Sequence, residues 1–203
     1  MPQSIALDLD NGAPIDTNKF IILHYNINSI LHEGRIDELS DVCNTLKVSV
    51  LVITESKLDE TVSMNRILIP GFHEPVRRDR VVNGNSTRSG GCLIFVNEFL
   101  SYEQNTAMQE NEYEHIWVDI KLKNTKLTVN CLYRPPKHTA DDHNTFLSTT
   151  ENLLQKLHNY QSDYKILMSD LNYGNIYSKD PLLPAKPLDA TAPDLFARIF
   201  RAE

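Results

Sequence analysis

Polar clusters that follow apolar runs bring oxygen-rich side chains to several points of this chain. Glu55 lies in Thr54-Glu55-Ser56-Lys57, directly after the run 48–53, and Asp170 lies in Ser169-Asp170-Leu171-Asn172, directly after the run 164–168. Asn26 and Asn28 follow Phe20-Ile21-Ile22-Leu23-His24-Tyr25, and Tyr133-Arg134 follows a run that closes at Leu132. Two carboxylates, carboxamides and a phenol, with no thiol among them, suit a hard divalent cation. Mg2+ takes oxygen ligands, often only one or two carboxylates, and fills its shell with water and substrate phosphate. Such a set can hydrolyse a phosphodiester: the cation neutralises the phosphate, a carboxylate or carboxamide orients water for in-line attack, and donors stabilise the developing charge. Each residue also has a plainer reading. Asn26 and Asn28 could form turns, Glu55 could cap, and Tyr133 could be a packed aromatic with its hydroxyl at the surface.

The elements that must position these groups are legible from periodicity. The run 20–25 suits a strand buried on both faces. Over 32–46, Ile36, Leu39, Cys43 and Leu46 recur at helical spacing and predict an amphipathic helix, after which 48–53 is a second buried strand. A polar, arginine-rich connection leads to Gly90-Gly91 and a strand over 92–96. Alternation around Asn124-Thr125 predicts a hairpin of strands 115–122 and 126–132, stopped by Pro135-Pro136. Phe146, Leu147, Leu153, Leu154 and Leu157 are spaced for a helix over 141–160, before a strand over 164–168. Residues 1–18 read as a flexible leader and 19–203 as one domain. Its last segment, with Pro181, Pro184, Pro187 and Pro193, is mostly irregular, with at most one helical turn over 195–200. Strand, helix and carboxylate-ended strand thus occur twice. Ligands of layered α/β sheets sit at the carboxyl ends of strands, so four strand ends would deliver Asn, Glu, Tyr and Asp-x-Asn to one edge.

Composition bounds the class. A chain of 203 residues, 41% hydrophobic and 23% charged, is one domain's worth and neither disordered nor fibrous. No run approaches the ~18 apolar residues of a membrane span, and the N-terminus lacks a secretory pattern. A soluble intracellular protein, nuclear or cytoplasmic, with no membrane partner is the expectation. Cys43, Cys92 and Cys131 are widely spaced in apolar stretches and read as small core residues rather than a disulfide or zinc frame. His24 reads as a core residue. The net charge of -7 argues against indiscriminate nucleic-acid binding. It is segregated, however: Arg66, Arg77, Arg78, Arg80 and Arg88 crowd one segment, whereas 98–119 holds six acids and no Lys or Arg. An anionic ligand would prefer the first segment, where Arg77, Arg78 and Arg80 are either DNA contacts or a solvated surface.

Five motifs in order carry a resemblance: 20–30 (through Asn26 and Asn28), Val52-Ile53-Thr54-Glu55-Ser56-Lys57-Leu58, Arg88-Ser89-Gly90-Gly91-Cys92-Leu93-Ile94-Phe95-Val96, Val129-Asn130-Cys131-Leu132-Tyr133-Arg134-Pro135-Pro136, and Ile166-Leu167-Met168-Ser169-Asp170-Leu171-Asn172. Together they resemble the endonuclease/exonuclease/phosphatase superfamily, and within it the apurinic-type endonuclease domain of LINE-class (non-LTR) retrotransposons. The resemblance implies an α+β fold, a four-layer αββα sandwich of the DNase I-like type, and DNA nicking with Mg2+ (Mn2+ as an alternative). It implies that Glu55 is the principal metal ligand with Asn26 beside it, that Tyr133 bonds the scissile phosphate, and that Asp170 orients or deprotonates water next to Asn172. Arg134 takes a weak phosphate role, Arg88 to Gly91 an architectural one, and a reverse transcriptase domain of the parent protein is the implied partner.

Two departures qualify that picture. Ser169 stands where the pattern has glycine. The terminal strand pair with its Ser-Asp-His motif has no match, since no histidine follows His158. The expectation is a sandwich incomplete at the C-terminus, with an unpaired strand edge and weak or absent turnover. A catalytically silent remnant that binds nucleic acid or protein, and a phosphatase acting on a phosphorylated lipid or sugar, are the competing readings.

Overall fold

Successive residues of a strand face opposite sides, and in this chain that alternation sorts the strands into two sheets with a shared interior. The computed structural model describes residues 3–7, 20–82, 84–109, 114–135, 140–172 and 198–201. They form β1 (Gln3–Leu7), β2 (Phe20–Asn26), α1 (Arg35–Leu46), β3 (Val50–Thr54), β4 (Val76–Val82), β5 (Asn85–Val96) and β6 (Ser101–Gln104), then β7 (Glu114–Leu122), β8 (Thr125–Tyr133), α2 (Ala140–Asn159), β9 (Tyr164–Asp170) and β10 (Arg198–Arg201). One sheet has the order β1-β2-β3-β5-β4 and the other β10-β9-β8-β7-β6. Each contains one parallel pair, β2–β3 and β8–β9, and in each the pair is joined by a helix, α1 or α2. A parallel pair requires such a crossover, whereas β7 and β8 turn over Lys123-Asn124 as a tight hairpin.

Inward-facing residues fuse the two sheets. Ile22 of β2, Val50 and Val52 of β3 and Ile94 of β5 meet Ile116 and Val118 of β7, Val129 of β8 and Ile166 of β9, all buried. The opposite face of the first sheet, through Leu23, Leu51, Ile53, Leu93 and Phe95, packs on Leu39 and Cys43 of α1. On the second sheet Trp117 and Leu167 take Leu153 and Leu157 of α2. The result is the expected four layers, helix, sheet, sheet, helix. α1 stops where Lys47 adopts a left-handed φ of 55° and its N–H returns to the Cys43 carbonyl. All three cysteines are buried and free. No helix among the described residues is long and apolar enough to cross a membrane.

Three segments differ from the sequence reading. The arginine-rich connection contains a strand, β4, whose Val76, Arg77 and Arg78 pair with Ile94, Leu93 and Cys92; charged side chains hide its alternation. Gln3–Leu7, read within the leader, pairs antiparallel with β2 as an edge strand. Arg198–Arg201, read as irregular or helical, pairs antiparallel with β9, so that edge is covered from Tyr164 to Leu167 rather than bare. Both termini of the chain contribute an edge strand where pairing compensates for weak local propensity. The rest of the leader and of the proline-rich tail lies outside the described residues.

Two stability predictions follow from this core. Phe95→Ala, at a fully buried position, should cost ~3–5 kcal/mol in urea unfolding. His24 is 5% exposed, with Nε2 3.3 Å from Thr54 Oγ1, and burial pushes its imidazole from 6.5 down to about 4. The unfolded chain therefore binds the proton first: the stabilisation is complete above pH 6.5 and is lost as pH falls toward 4, by up to ~3 kcal/mol. Urea midpoints at pH 7 and 4.5 should differ less in His24→Gln than in the parent.

Candidate active site

Each inward stripe turns polar at the same end of the sandwich. On β2 the series Ile22, His24, Asn26 runs out of the core; on β3 it is Val52, Thr54; on β8, Cys131, Tyr133; on β9, Met168, Asp170. Register keeps the tips level, since Asn26 pairs with Thr54 and Tyr133 with Asp170. The sheets are tied just behind the tips, where Cys131 Sγ lies 3.4 Å from the Ile53 carbonyl oxygen. Four strand ends therefore converge, as the sequence predicts.

Glu55 follows β3 with a left-handed φ of 54°, a conformation that costs a non-glycine residue and must be imposed by its surroundings. Backbone bonds impose it: Ser29 N–H donates to the Glu55 carbonyl at 2.8 Å, Ser56 N–H to Gly91 O at 3.2 Å and Lys57 N–H to Gly90 O at 2.8 Å. The Glu55 carboxylate then accepts from Asn26 Nδ2 at 3.2 Å and Tyr133 OH at 3.3 Å on Oε1, with Lys57 Nζ 3.7 Å from Oε2. Asn26 Nδ2 also donates to Asp170 Oδ2 at 2.6 Å. One amide thus links two carboxylates from different sheets. Asn26 Oδ1 in turn accepts from the Asn28 N–H at 3.3 Å, and Lys57 Nζ donates to Asn28 Oδ1.

Asp170 is 3% exposed, and its carbonyl accepts from Arg134 N–H at 2.8 Å. Asn172, with φ 46°, donates from Nδ2 to the Arg134 carbonyl at 2.7 Å. The Tyr133 phenol is raised well above its ordinary value, first by burial and then by the Glu55, Asp170 and Glu114 carboxylates. It stays protonated and can donate. The donor set fits a hard cation: two carboxylates and a carboxamide, with the Asn26 amide lodged between the carboxylates. Among the described residues there is no cluster of three or more His, Cys, Asp and Glu that could hold a metal ion.

The predicted arginines separate. Arg77 lies on the outer face, where Nε and Nη2 donate to Asp79 at 2.7 and 2.6 Å and Nη1 to the Val62 carbonyl at 2.7 Å. Arg78 and Arg80 lie on the face of β4 turned toward the second sheet, and Arg80 Nε is 3.2 Å from Glu114 Oε1. Arg88 Nε donates to Asp59 Oδ2 at 2.6 Å. Arg134, buried, donates from Nη1 to the Leu171 carbonyl at 3.2 Å and lies over the Phe146 ring at 5.2 Å, fastening the end of β8 to that of β9.

Sequence reasoning did not single out Lys57 or Glu114. Lys57 sits inside a quoted motif, but its approach to Glu55 depends on a φ of 54° that its residue type does not predict. Glu114 was within reach of the hairpin arithmetic, because the Leu122–Thr125 pairing brings it opposite Tyr133.

Solved structures share this fold. The endonuclease domain of TRAS1, a telomere-specific non-LTR retrotransposon, superposes with TM-score 0.50 at 16% identity, covering 75% of this chain and 59% of that one. The human nocturnin catalytic domain gives 0.52 at 13%, covering 75% and 63%, and the 3' phosphatase NExo from Neisseria, bound to product DNA hairpin, gives 0.52 at 12%, covering 76% and 58%. The fold is the DNase I-like one that these structures share. The chain spans about three-fifths of the length of these structures. No protein-family profile and no curated protein sequence matches it.

Glycine at position 90 is a further requirement of this geometry. Its φ is 60°, and a Cβ there would collide with the Glu114 carboxylate, whereas Gly84, with φ 81°, faces open space. Gly90→Ala should lower stability by more than ~1 kcal/mol and by more than Gly84→Ala does, measured by urea unfolding.

Proposed function

We propose that this chain is a nuclease-type phosphodiester hydrolase: a DNA-nicking endonuclease domain of retrotransposon type that works with Mg2+ or Mn2+. The observation that carries the reading is the Asn26 amide shared by Glu55 Oε1 and Asp170 Oδ2, which assembles a two-carboxylate centre from residues far apart in sequence. The fold shared with the TRAS1 endonuclease domain and with DNA-bound NExo supports a nucleic-acid substrate. A reverse transcriptase domain in the parent protein is the partner consistent with that origin.

Glu55, with Asn26 beside it, would hold the cation. When bound, the cation supplies positive charge that neutralises the scissile phosphate. Asp170 accepts a proton from the attacking water or orients it in line, and Asn172 steadies the end of β9 through the Arg134 carbonyl. Tyr133, kept protonated by burial and by its carboxylate neighbours, donates to a phosphate oxygen as charge develops. Lys57 adds a cation beside Glu55. Arg77, Arg78, Arg80 and Arg134 offer weaker contacts to the DNA backbone, and Arg77, Arg80 and Arg134 do so only by giving up internal bonds.

Purified chain should nick supercoiled plasmid with Mg2+ or Mn2+ and stop when EDTA is added. Glu55→Ala and Asp170→Ala should each abolish nicking without changing the thermal midpoint by more than a few degrees, and Tyr133→Phe should slow it ~100-fold. Nicking that survives both carboxylate substitutions overturns the assignment. Absence of turnover combined with salt-sensitive DNA binding supports the binding-module reading instead.

A further inference from the structure

A carboxylate that the proposed chemistry does not use lies just inside the edge where Glu55, Tyr133 and Asp170 meet. Glu114 opens β7, is 8% exposed and pairs in register with Tyr133. Its Oε2 accepts the Gly91 N–H at 2.7 Å, and its Oε1 is 3.2 Å from Arg80 Nε. A carboxylate this buried is costly unless its oxygens are matched. Here an amide and a guanidinium match them, one from each limb of the β4–β5 hairpin.

That hairpin is irregular at this point. Between the pairs Arg78–Cys92 and Arg80–Thr87, β4 advances through Asp79 alone, while β5 advances through Arg88, Ser89, Gly90 and Gly91. The excess forms a bulge in which Gly90 and Gly91 have φ of 60° and 87°. A Cβ on Gly90 would strike the Glu114 carboxylate, and one on Gly91 would strike Ser56 Oγ. The bulge directs its carbonyls toward the other limb of the site: Gly91 O accepts from Ser56 N–H and Gly90 O from Lys57 N–H. These two residues follow Glu55. A continuous bonded path runs from Arg80 through Glu114 and the Gly90-Gly91 turn to the backbone that carries Glu55.

We propose that Glu114, clamped between Arg80 and the Gly91 amide, is a positioning residue that sets the Gly90-Gly91 bulge and through it the orientation of Glu55. It touches neither cation nor phosphate. The proposal rests on Glu55 being the cation ligand, as argued above, and extends that site to a carboxylate on a different sheet. Arg80 is thereby a structural partner of Glu114, and DNA that drew Arg80 away would loosen the Glu55 backbone.

The test compares amide hydrogen exchange at Ser56 and Lys57 with Mn2+ binding measured by calorimetry. It uses the full chain as parent, Glu114→Gln and Glu114→Ala. Glu114→Ala should speed exchange at Ser56 and Lys57 while leaving the Val129 and Ile166 amides of the core unchanged, and should weaken Mn2+ binding ~10- to 100-fold. Glu114→Gln, which keeps a carbonyl for the Gly91 N–H, should recover most of both. Should Glu114→Ala fail to fold, Glu114→Asp serves in its place, because it keeps the charge but retracts the carboxylate by one methylene. Unchanged exchange at Ser56 and Lys57 overturns the proposal, and so does a uniform rise that includes Val129 and Ile166, which marks a merely structural role. A parent chain that binds no Mn2+ overturns the cation reading of Glu55, and the exchange comparison then still decides the positioning role.

Discussion

Face-to-face packing of two sheets is the constraint on which the rest of this molecule depends. Sheets packed in this way lie ~10 Å apart, so inward side chains of one must fill the gaps left by the other. Ile22, Val52 and Ile94 do so against Val118, Val129 and Ile166. Once that interior is apolar and level, the next inward position on each strand has its partner chosen for it. Asn26, Tyr133 and Asp170 meet because the hydrophobic stripes beneath them have already fixed strand register and sheet separation. The short bond from Asn26 to Asp170 therefore reports the docking of the whole sandwich.

Backbone strain is concentrated at the same edge. Among the described residues, Asn28, Ser29, Glu55, Lys57 and Asn172 take positive φ without being glycine, and the remaining case, Lys47, caps α1. Such conformations cost on the order of 1–3 kcal/mol each and persist only where neighbours over-determine them. Here the determinants are backbone bonds between loops: Ser29 to Glu55, Ser56 to Gly91 and Lys57 to Gly90. The stable core offsets the strain, and the loops translate it into fixed side-chain directions. Electrostatics follow the same division. Arg77, Arg80 and Arg88 are matched by Asp79, Glu114 and Asp59, so the basic segment is less of an open cationic surface than its composition suggests.

Apolar pattern made much of this legible in the sequence. Continuous apolar runs marked β2, β3 and β9 and period-two alternation marked β7 and β8, and that pattern located the strand ends that carry Asn26, Glu55, Tyr133 and Asp170. It failed at β4, where Val76-Arg77-Arg78-Asp79-Arg80 carries charged side chains on both faces and shows no apolar contrast, although its strand partners include Ile94, Leu93 and Cys92. It failed at Gln3–Leu7 and Arg198–Arg201, short edge strands defined by the partner to which they pair and not by their own residues. The left-handed backbone at Glu55 and Lys57 had no signal in residue type, so the approach of Lys57 to Glu55 was invisible. Glu114 could have been found, because a tight turn at Lys123-Asn124 fixes every pairing of its hairpin. What sequence pattern cannot express is the bulge in β5, where four residues stand against one.

The Asn26 to Asp170 bond has a consequence in time as well as in space. A ribosome exposes the chain from its N-terminus, and the first sheet, with Asn26 and Glu55, is complete in sequence at Val96 apart from its partner surface. Asp170 lies at the end of the last strand of the second sheet's parallel pair, behind a crossover through α2. Pairing across such a separation carries a loop-closure cost that must be met before the contact stabilises anything. The two-carboxylate centre consequently has no partial form: a nascent or unravelled chain holds one carboxylate or the other, and the joined pair appears only with the closed sandwich.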